Sequence, residues 1–169
     1  PAAVELMDRR VVEAVEPFAE AGYPLDAAAV LIVELDGLPE GVAHEVGLVS
    51  QIASEHGART VRVASDDSER DRIWKGRKSA FGAIANIRPD YYLHDTVIPR
   101  TKLAEVLDEV YAIADRYELL VMNVFHAGDG NLHPLLVFDS QEPGTMERVL
   151  AAGEEIVRAS LDAGGVLSG

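Results

Sequence analysis

The chain has 169 residues, room for one domain with a proper core and not comfortably for two. Its composition, 48% hydrophobic and 26% charged, is that of a soluble globular protein, and no apolar run approaches the ~20 residues of a membrane span. A formal charge of −14 argues against nucleic acid or anionic lipid as a partner, because both attract basic patches; the absence of cysteine removes disulfide and thiol chemistry and fits a reducing cytoplasm.

Asp8 to Gly22 reads as a helix capped by Asp8, with Val11, Val12, Val15, Phe18 and Ala19 as its apolar stripe. Pro17 inside it predicts a kink or a split. Ala28 to Leu35 is a buried strand stopped by Asp36-Gly37. Pro39 then opens a helix with Val42, Val46, Val49 and Ala53 on one face, closed by Gly57. Arg59 to Ala64 alternates and predicts a second strand.

Asp66 to Ala85 is helical, with Ile73, Trp74, Ala80, Phe81 and Ile84 as its stripe, and Arg77 falls among them at helical spacing. A guanidinium on a packed face must find an anion or carry a large desolvation cost. That anion is either one of the protein's own carboxylates, the commoner outcome in general, or the carboxylate of a ligand gripped by the two-pronged fork. Arg70, Arg72, Lys75, Arg77, Lys78 and Arg88 form a basic island in an acidic chain. It is read either as a site for a small anion or as a solvated face balanced by acids elsewhere in the fold.

Tyr91 to Ile98 is a third strand ended by Pro99, after which Thr101 can cap an amphipathic helix built on Leu103, Val106, Leu107, Val110, Ile113, Ala114 and Tyr117. Two apolar runs follow, Leu119 to Phe125 and Leu135 to Phe138. Pro143 opens a last helix using Met146, Val149, Leu150, Ile156, Val157 and Leu161, and Asp162-Ala163-Gly164-Gly165 stops it. This succession suits an α+β fold, a largely antiparallel sheet with helices packed on one face; periodicity alone leaves a small doubly wound sheet open.

Between the two apolar runs lies Phe125-His126-Ala127-Gly128-Asp129-Gly130-Asn131-Leu132-His133-Pro134. Asp129-Gly130 is a strong two-residue hairpin signal, since the tight turn needs positive φ and Gly supplies it without steric cost. With those residues as the turn, His126 faces His133 and Pro134 faces Phe125. The imidazoles then leave one face of the hairpin with Cβ atoms roughly 5 Å apart. Two ring nitrogens at that spacing can share one divalent metal, given a third ligand from elsewhere. The competing reading is a stable turn whose histidines are structural.

His126-Ala-Gly-Asp-Gly-Asn-Leu-His133-Pro134 resembles the signature of the C-terminal domain of FAD-linked oxidases, the family of the glycolate oxidase D subunit, D-lactate dehydrogenase and D-2-hydroxyglutarate dehydrogenase. Trp74-Lys75-Gly76-Arg77 resembles a Trp-x-x-Arg element of the same family. The resemblance implies a ferredoxin-like arrangement, a divalent metal (Zn, Mn or Fe) on His126 and His133, a substrate carboxylate on Arg77, and Asn131 hydrogen-bonding substrate or cofactor. It also implies FAD, held mainly by a separate N-terminal domain, because no Gly-x-Gly-x-x-Gly or other phosphate cradle occurs here.

In that family the terminal Ser-Gly precedes a Glu-His-Gly sequence supplying the third metal ligand and a candidate base. Residues 1–169 are therefore expected to be one excised domain, lacking the FAD-binding domain and the last part of its own, inactive by itself and with its catalytic base beyond Gly169. Leu93 stands near the position where the 2-hydroxyglutarate members carry a lysine, which weakens the case for a dicarboxylate substrate. The function expected is substrate and metal binding in a flavin-dependent 2-hydroxy-acid dehydrogenase or oxidase, cytoplasmic, with any membrane contact made through partners. The alternatives are a ferredoxin-like small-ligand or regulatory module without catalysis and, less supported, a self-contained metallohydrolase.

Overall fold

Residues 1–168 are described by a computed structural model. They run β1 (Ala3–Asp8), α1 (Arg9–Ala19), β2 (Ala29–Glu34), α2 (Pro39–Glu55), α3 (Asp67–Ile84), β3 (Asp90–Leu93), β4 (Thr96–Val97), α4 (Leu103–Arg116), β5 (Leu120–His126), β6 (Asn131–Leu132), β7 (Pro134–Phe138), α5 (Thr145–Asp162) and β8 (Val166–Leu167). Every strand pairing is antiparallel, in the order β2-β1-β5-β6-β4-β8, and β7 pairs with both β5 and β3.

This is the antiparallel α+β architecture expected, with one difference in its layers: helices cover both faces of the sheet. The cause is the central strands. Met122 and Val124 of β5, with Leu135 and Val137 of β7, pack among α1 and α3. Their neighbours Val121, Phe125, Leu136 and Phe138 pack among α4 and α5. Strand side chains alternate between faces, so two apolar sets on one strand require two layers of cover. Phe125 and Met7 are among the largest fully buried side chains, and truncating such a phenylalanine to alanine costs about 3–5 kcal/mol.

Local signals explain most boundaries. Asp8 caps α1, its carboxylate accepting the Val11 N–H at 2.9 Å, and Asp66 caps α3 through the Glu69 N–H at 2.8 Å. Pro17 lies in the last turn of α1, which ends unsplit at Ala19 with Glu20 in the left-handed region. Three expectations need correction. Arg59 to Ala64 forms no strand: Val61 and Val63 are exposed, while the Arg62 guanidinium donates to the carbonyls of Ala21 (2.9 Å) and Gly22 (3.1 Å) and ties the segment beside the α1–β2 connection. Tyr91 to Ile98 is two strands, broken at His94-Asp95, because β3 pairs with β7 whereas β4 pairs with β6 and β8. Thr101 caps nothing; it lies in a single 3-10 turn, Arg100–Lys102, leading into α4.

Two strands were not anticipated, β1 and β8. The second is only two residues long. The first carries Glu5 in its middle, and that residue organises the site.

Candidate active site

The loop between β5 and β6 spans Ala127 to Gly130, so His126 pairs with Asn131 and Asn123 with Pro134. The two-residue Asp129-Gly130 turn and the Phe125–Pro134 pairing are thereby corrected. Contacts made by the loop set its length. Gly128 donates its N–H to the Val4 carbonyl (3.0 Å), and the Gly130 carbonyl accepts the Ile98 N–H (3.0 Å). The Asp129 carboxylate accepts the Asn131 N–H at 3.0 Å, an Asx turn. Gly130 has φ +83°, and a Cβ there would lie 2.1 Å from the Ile98 carbonyl oxygen, so no other residue fits.

A shift of two residues preserves the face to which every side chain points. His133 therefore becomes the diagonal neighbour of His126 on the same side of the sheet. The ring centroids are 5.4 Å apart and the planes are inclined by 81°. A metal ion held by both would lie roughly 3 Å from each ring centre, which at a tetrahedral angle separates the centres by about 5 Å.

Glu5 is the direct cross-strand partner of His126 on β1. Its Oε1 lies 2.7 Å from His126 Nδ1, while Oε2 accepts from Arg77 Nε (3.0 Å) and forms an ion pair with Nη2 (2.8 Å). Arg77 descends from α3 onto the same face, close to the sequence Trp74-Lys75-Gly76 that brings the helix down. Gly76 packs against Tyr23 so tightly that a Cβ would sit 2.4 Å from its ring. The anion that Arg77 finds within the chain is thus Glu5. Both are buried, and in low dielectric such a pair survives only with this kind of geometry. No hydrogen bond from Arg77 Nη1 to a described residue occupies that end of the fork.

The two imidazoles differ. The His126 side chain is 45% exposed, that of His133 12%. Burial lowers the pKa of His133, with His126 and Arg77 adding to the effect and Asp95 opposing it, which favours the neutral ring that metal ligation requires. Asp95 Oδ2 is 3.7 Å from His133 Nδ1, too long for a hydrogen bond, so that buried nitrogen has no partner. Asn131 Oδ1 is likewise buried and unpartnered. Buried polar atoms without a partner are rare in folded proteins, and these two stand with His94 Nδ1 and Asn123 Oδ1 among the described residues.

The residues present fit two positions of a metal site. With Nδ1 facing Glu5, His126 has its Nε2 free, and His133 is held neutral beside it. Among the described residues no third His, Asp or Glu joins them. Glu5 is the nearest carboxylate by position, but both of its oxygens are engaged. Arg77, Asn131, His126 and His133 are therefore brought together as the sequence predicted; Glu5 and Asp95 were missed. Glu5 had a signal: it shares strand parity with the fully buried Met7 in Ala3-Val4-Glu5-Leu6-Met7, an acid on a core-facing position.

The antiparallel sheet thus carries a histidine pair and a buried arginine on one face. In shape the chain is similar to 4-ethylphenol oxidase from Gulosibacter chungangensis, with TM-score 0.67 and 12% identity, covering 98% of this chain and 38% of that one. The family of FAD linked oxidases, C-terminal domain, matches residues 1–169, and the chain belongs to that family. It is 46% identical to the glycolate oxidase subunit GlcD of Escherichia coli K12, over 100% of this chain and 34% of that protein. The Bacillus subtilis subunit of the same name is 33% identical over 100% of this chain and 36% of its own. A probable mitochondrial D-lactate dehydrogenase of Danio rerio is 26% identical over 99% and 34%. The chain spans about a third of the length of these relatives.

Proposed function

We propose that this domain forms the substrate and metal side of an FAD-dependent 2-hydroxy-acid oxidoreductase of the glycolate or D-lactate type, the flavin being held by another domain of a longer cytoplasmic polypeptide. The observation that carries the reading is the row Glu5, His126, Asn131 across three strands, with His133 diagonal to it and Arg77 above. Bound FAD would take a hydride from the hydroxyl-bearing carbon, and a divalent ion (Zn, Mn or Fe) on His126 and His133 would lower the pKa of the substrate hydroxyl. A third metal ligand and the base that takes the hydroxyl proton would come from elsewhere in the full-length protein.

Each side chain has a part in this scheme. Arg77 offers the N–H groups that Glu5 leaves free to the substrate carboxylate, fixing which face of the α-carbon is presented. Asn131 Oδ1 accepts from a donor on substrate or cofactor and so relieves an unsatisfied buried oxygen. His133, neutral through burial, keeps its lone pair available.

The test is anaerobic flavin reduction in the full-length protein by glycolate and by D-lactate. Arg77→Lys, which keeps the charge beside Glu5 and loses the planar fork, is expected to raise the apparent Kd for substrate at least about tenfold. Unchanged affinity would remove Arg77 from the substrate site. Residues 1–169 alone are expected to turn over neither acid, and turnover without an added flavoprotein would contradict the assignment.

One observation favours the alternative of a small-ligand module without catalysis. The Arg77–Glu5 pair already balances the charge of the arginine from within the chain. On that reading, full-length protein would bind 2-hydroxy acid without bleaching any flavin.

A further inference from the structure

We infer that Glu5 is the positioning residue of this site, a single carboxylate that fixes the ligating face of His126 and the aim of Arg77 together. The inference rests on the metal and substrate roles proposed above and concerns how those roles are coupled.

A neutral imidazole carries its proton on one nitrogen, and the group that faces one nitrogen decides which. A carboxylate only accepts, so the His126 nitrogen 2.7 Å from Glu5 Oε1 must be the donor. Nδ1 then carries the hydrogen and Nε2 presents its lone pair away from β1. That is the arrangement in which a carboxylate orients a metal-bound histidine and raises its basicity. The other oxygen of the same carboxylate holds Arg77 by a hydrogen bond from Nε and an ion pair with Nη2. Glu5 is clamped in turn: it is buried, on a strand paired on both sides, with Ile32 opposite on β2 and His126 opposite on β5.

Moving the carboxylate therefore moves both functional groups. An arginine tied only to a surface acid, or a histidine tied only to water, would wander independently. Here the geometry links recognition of the substrate carboxylate to the orientation of the ion that would hold its hydroxyl. His133 lacks such a holder, since Asp95 stands 3.7 Å away, and so the burden of fixed geometry falls on His126.

The experiment is nitrogen NMR of His126 in the metal-free full-length protein at a pH where the ring is neutral, followed by calorimetric titration of Zn²⁺ into the same samples. The unsubstituted chain is expected to show the Nδ1–H tautomer. Glu5→Ala is expected to release the ring into a mixture and to weaken Zn²⁺ binding about 10–100-fold, the size usual for losing the residue behind a ligand. Glu5→Gln leaves one acceptor oxygen for two donors; with that oxygen on Arg77 its NH₂ faces Nδ1. The ring should then shift toward the Nε2–H tautomer and lose Zn²⁺ affinity as in Glu5→Ala, and an unchanged Nδ1–H tautomer in Glu5→Gln would contradict the inference. An Nε2–H tautomer in the unsubstituted chain would overturn the inference, as would an unchanged tautomer in Glu5→Ala. Should Glu5→Ala fail to fold, the unsubstituted chain and Glu5→Gln still decide. If the Nδ1–H tautomer is found and Zn²⁺ does not bind at all, the metal proposal fails while the hold of Glu5 on the ring is upheld.

Discussion

β1 buries two acids three residues apart, and they are used in opposite ways. Asp8 is closed on the protein: its oxygens accept from the Val11 N–H (2.9 Å), the Tyr111 hydroxyl (2.8 Å), the Asn123 N–H (2.8 Å) and the Asn123 amide (3.3 Å). Each of those partners belongs to the packing of α1, α4 or β5. Glu5 is joined instead to a half-exposed imidazole and to an arginine with donors left over. Both acids are buried, so burial alone does not separate a structural acid from a functional one. What separates them is whether the partners' remaining capacity ends inside the fold or faces outward.

Substitutions at the two acids should break this contrast in order of size. Glu5→Ala leaves a buried guanidinium unpaired and should cost about 3–5 kcal/mol by urea denaturation. A Glu5→Leu, Arg77→Met double variant should recover most of that loss, because an apolar pair of similar volume replaces a buried ion pair at little net cost. The same variant should lose substrate binding and bind Zn²⁺ about 10–100-fold more weakly. Recovery of stability with function intact would show that the ion pair has no functional part.

Asp8→Ala should cost about 2–3 kcal/mol, from a lost cap and orphaned donors. Zn²⁺ affinity of the folded fraction should stay within about twofold, since no ligand is touched; a larger drop would erase the distinction between the two acids. Asp8 also sets a pH signature. Burial raises its pKa above the ordinary carboxylate value, with hydrogen bonds to Val11, Tyr111 and Asn123 working against that. A raised folded pKa means the native state binds the proton more tightly, so the contribution is full below the unfolded value and is lost as pH rises through the folded one. Wild type should accordingly lose stability relative to Asp8→Asn as pH climbs from about 4, measured as the difference in denaturation midpoint. Tyr111→Phe, removing one hydrogen bond to Asp8, should show the smallest effect, about 1 kcal/mol.

Much of this contrast was legible in the chain and part of it was not. The cap Asp8, the helix starting at Asp66, the helix opened by Pro39 and the histidine hairpin follow from local chemistry, which is what sequence patterns report. The Ala28–Leu35 strand forms too, but at the sheet edge with Leu31 exposed and not buried as its apolar run suggested. The histidines' shared face survived an error in register because the error was even. The register itself depends on Gly128 and Gly130 meeting Val4 and Ile98, contacts far away in the chain that no turn propensity contains. Glu5 escaped for a related reason: a short strand at the start of the chain with an acid in it reads as surface until its partners, 72 and 121 residues away, are known. Arg77 was flagged by its place on an apolar stripe, but which anion it meets was beyond periodicity. The Arg59–Ala64 alternation misled because a strand needs a neighbour, and the sequence gives no view of which edges are free.

The central claim is that His126 and His133 serve one ion, and calorimetric Zn²⁺ titration of the full-length protein tests it most directly. Two ligands of one ion are not independent, so His126→Ala and His133→Ala should each abolish most of the affinity, and the double variant should be no worse than the weaker single. Retention of full affinity in either single variant would contradict the account.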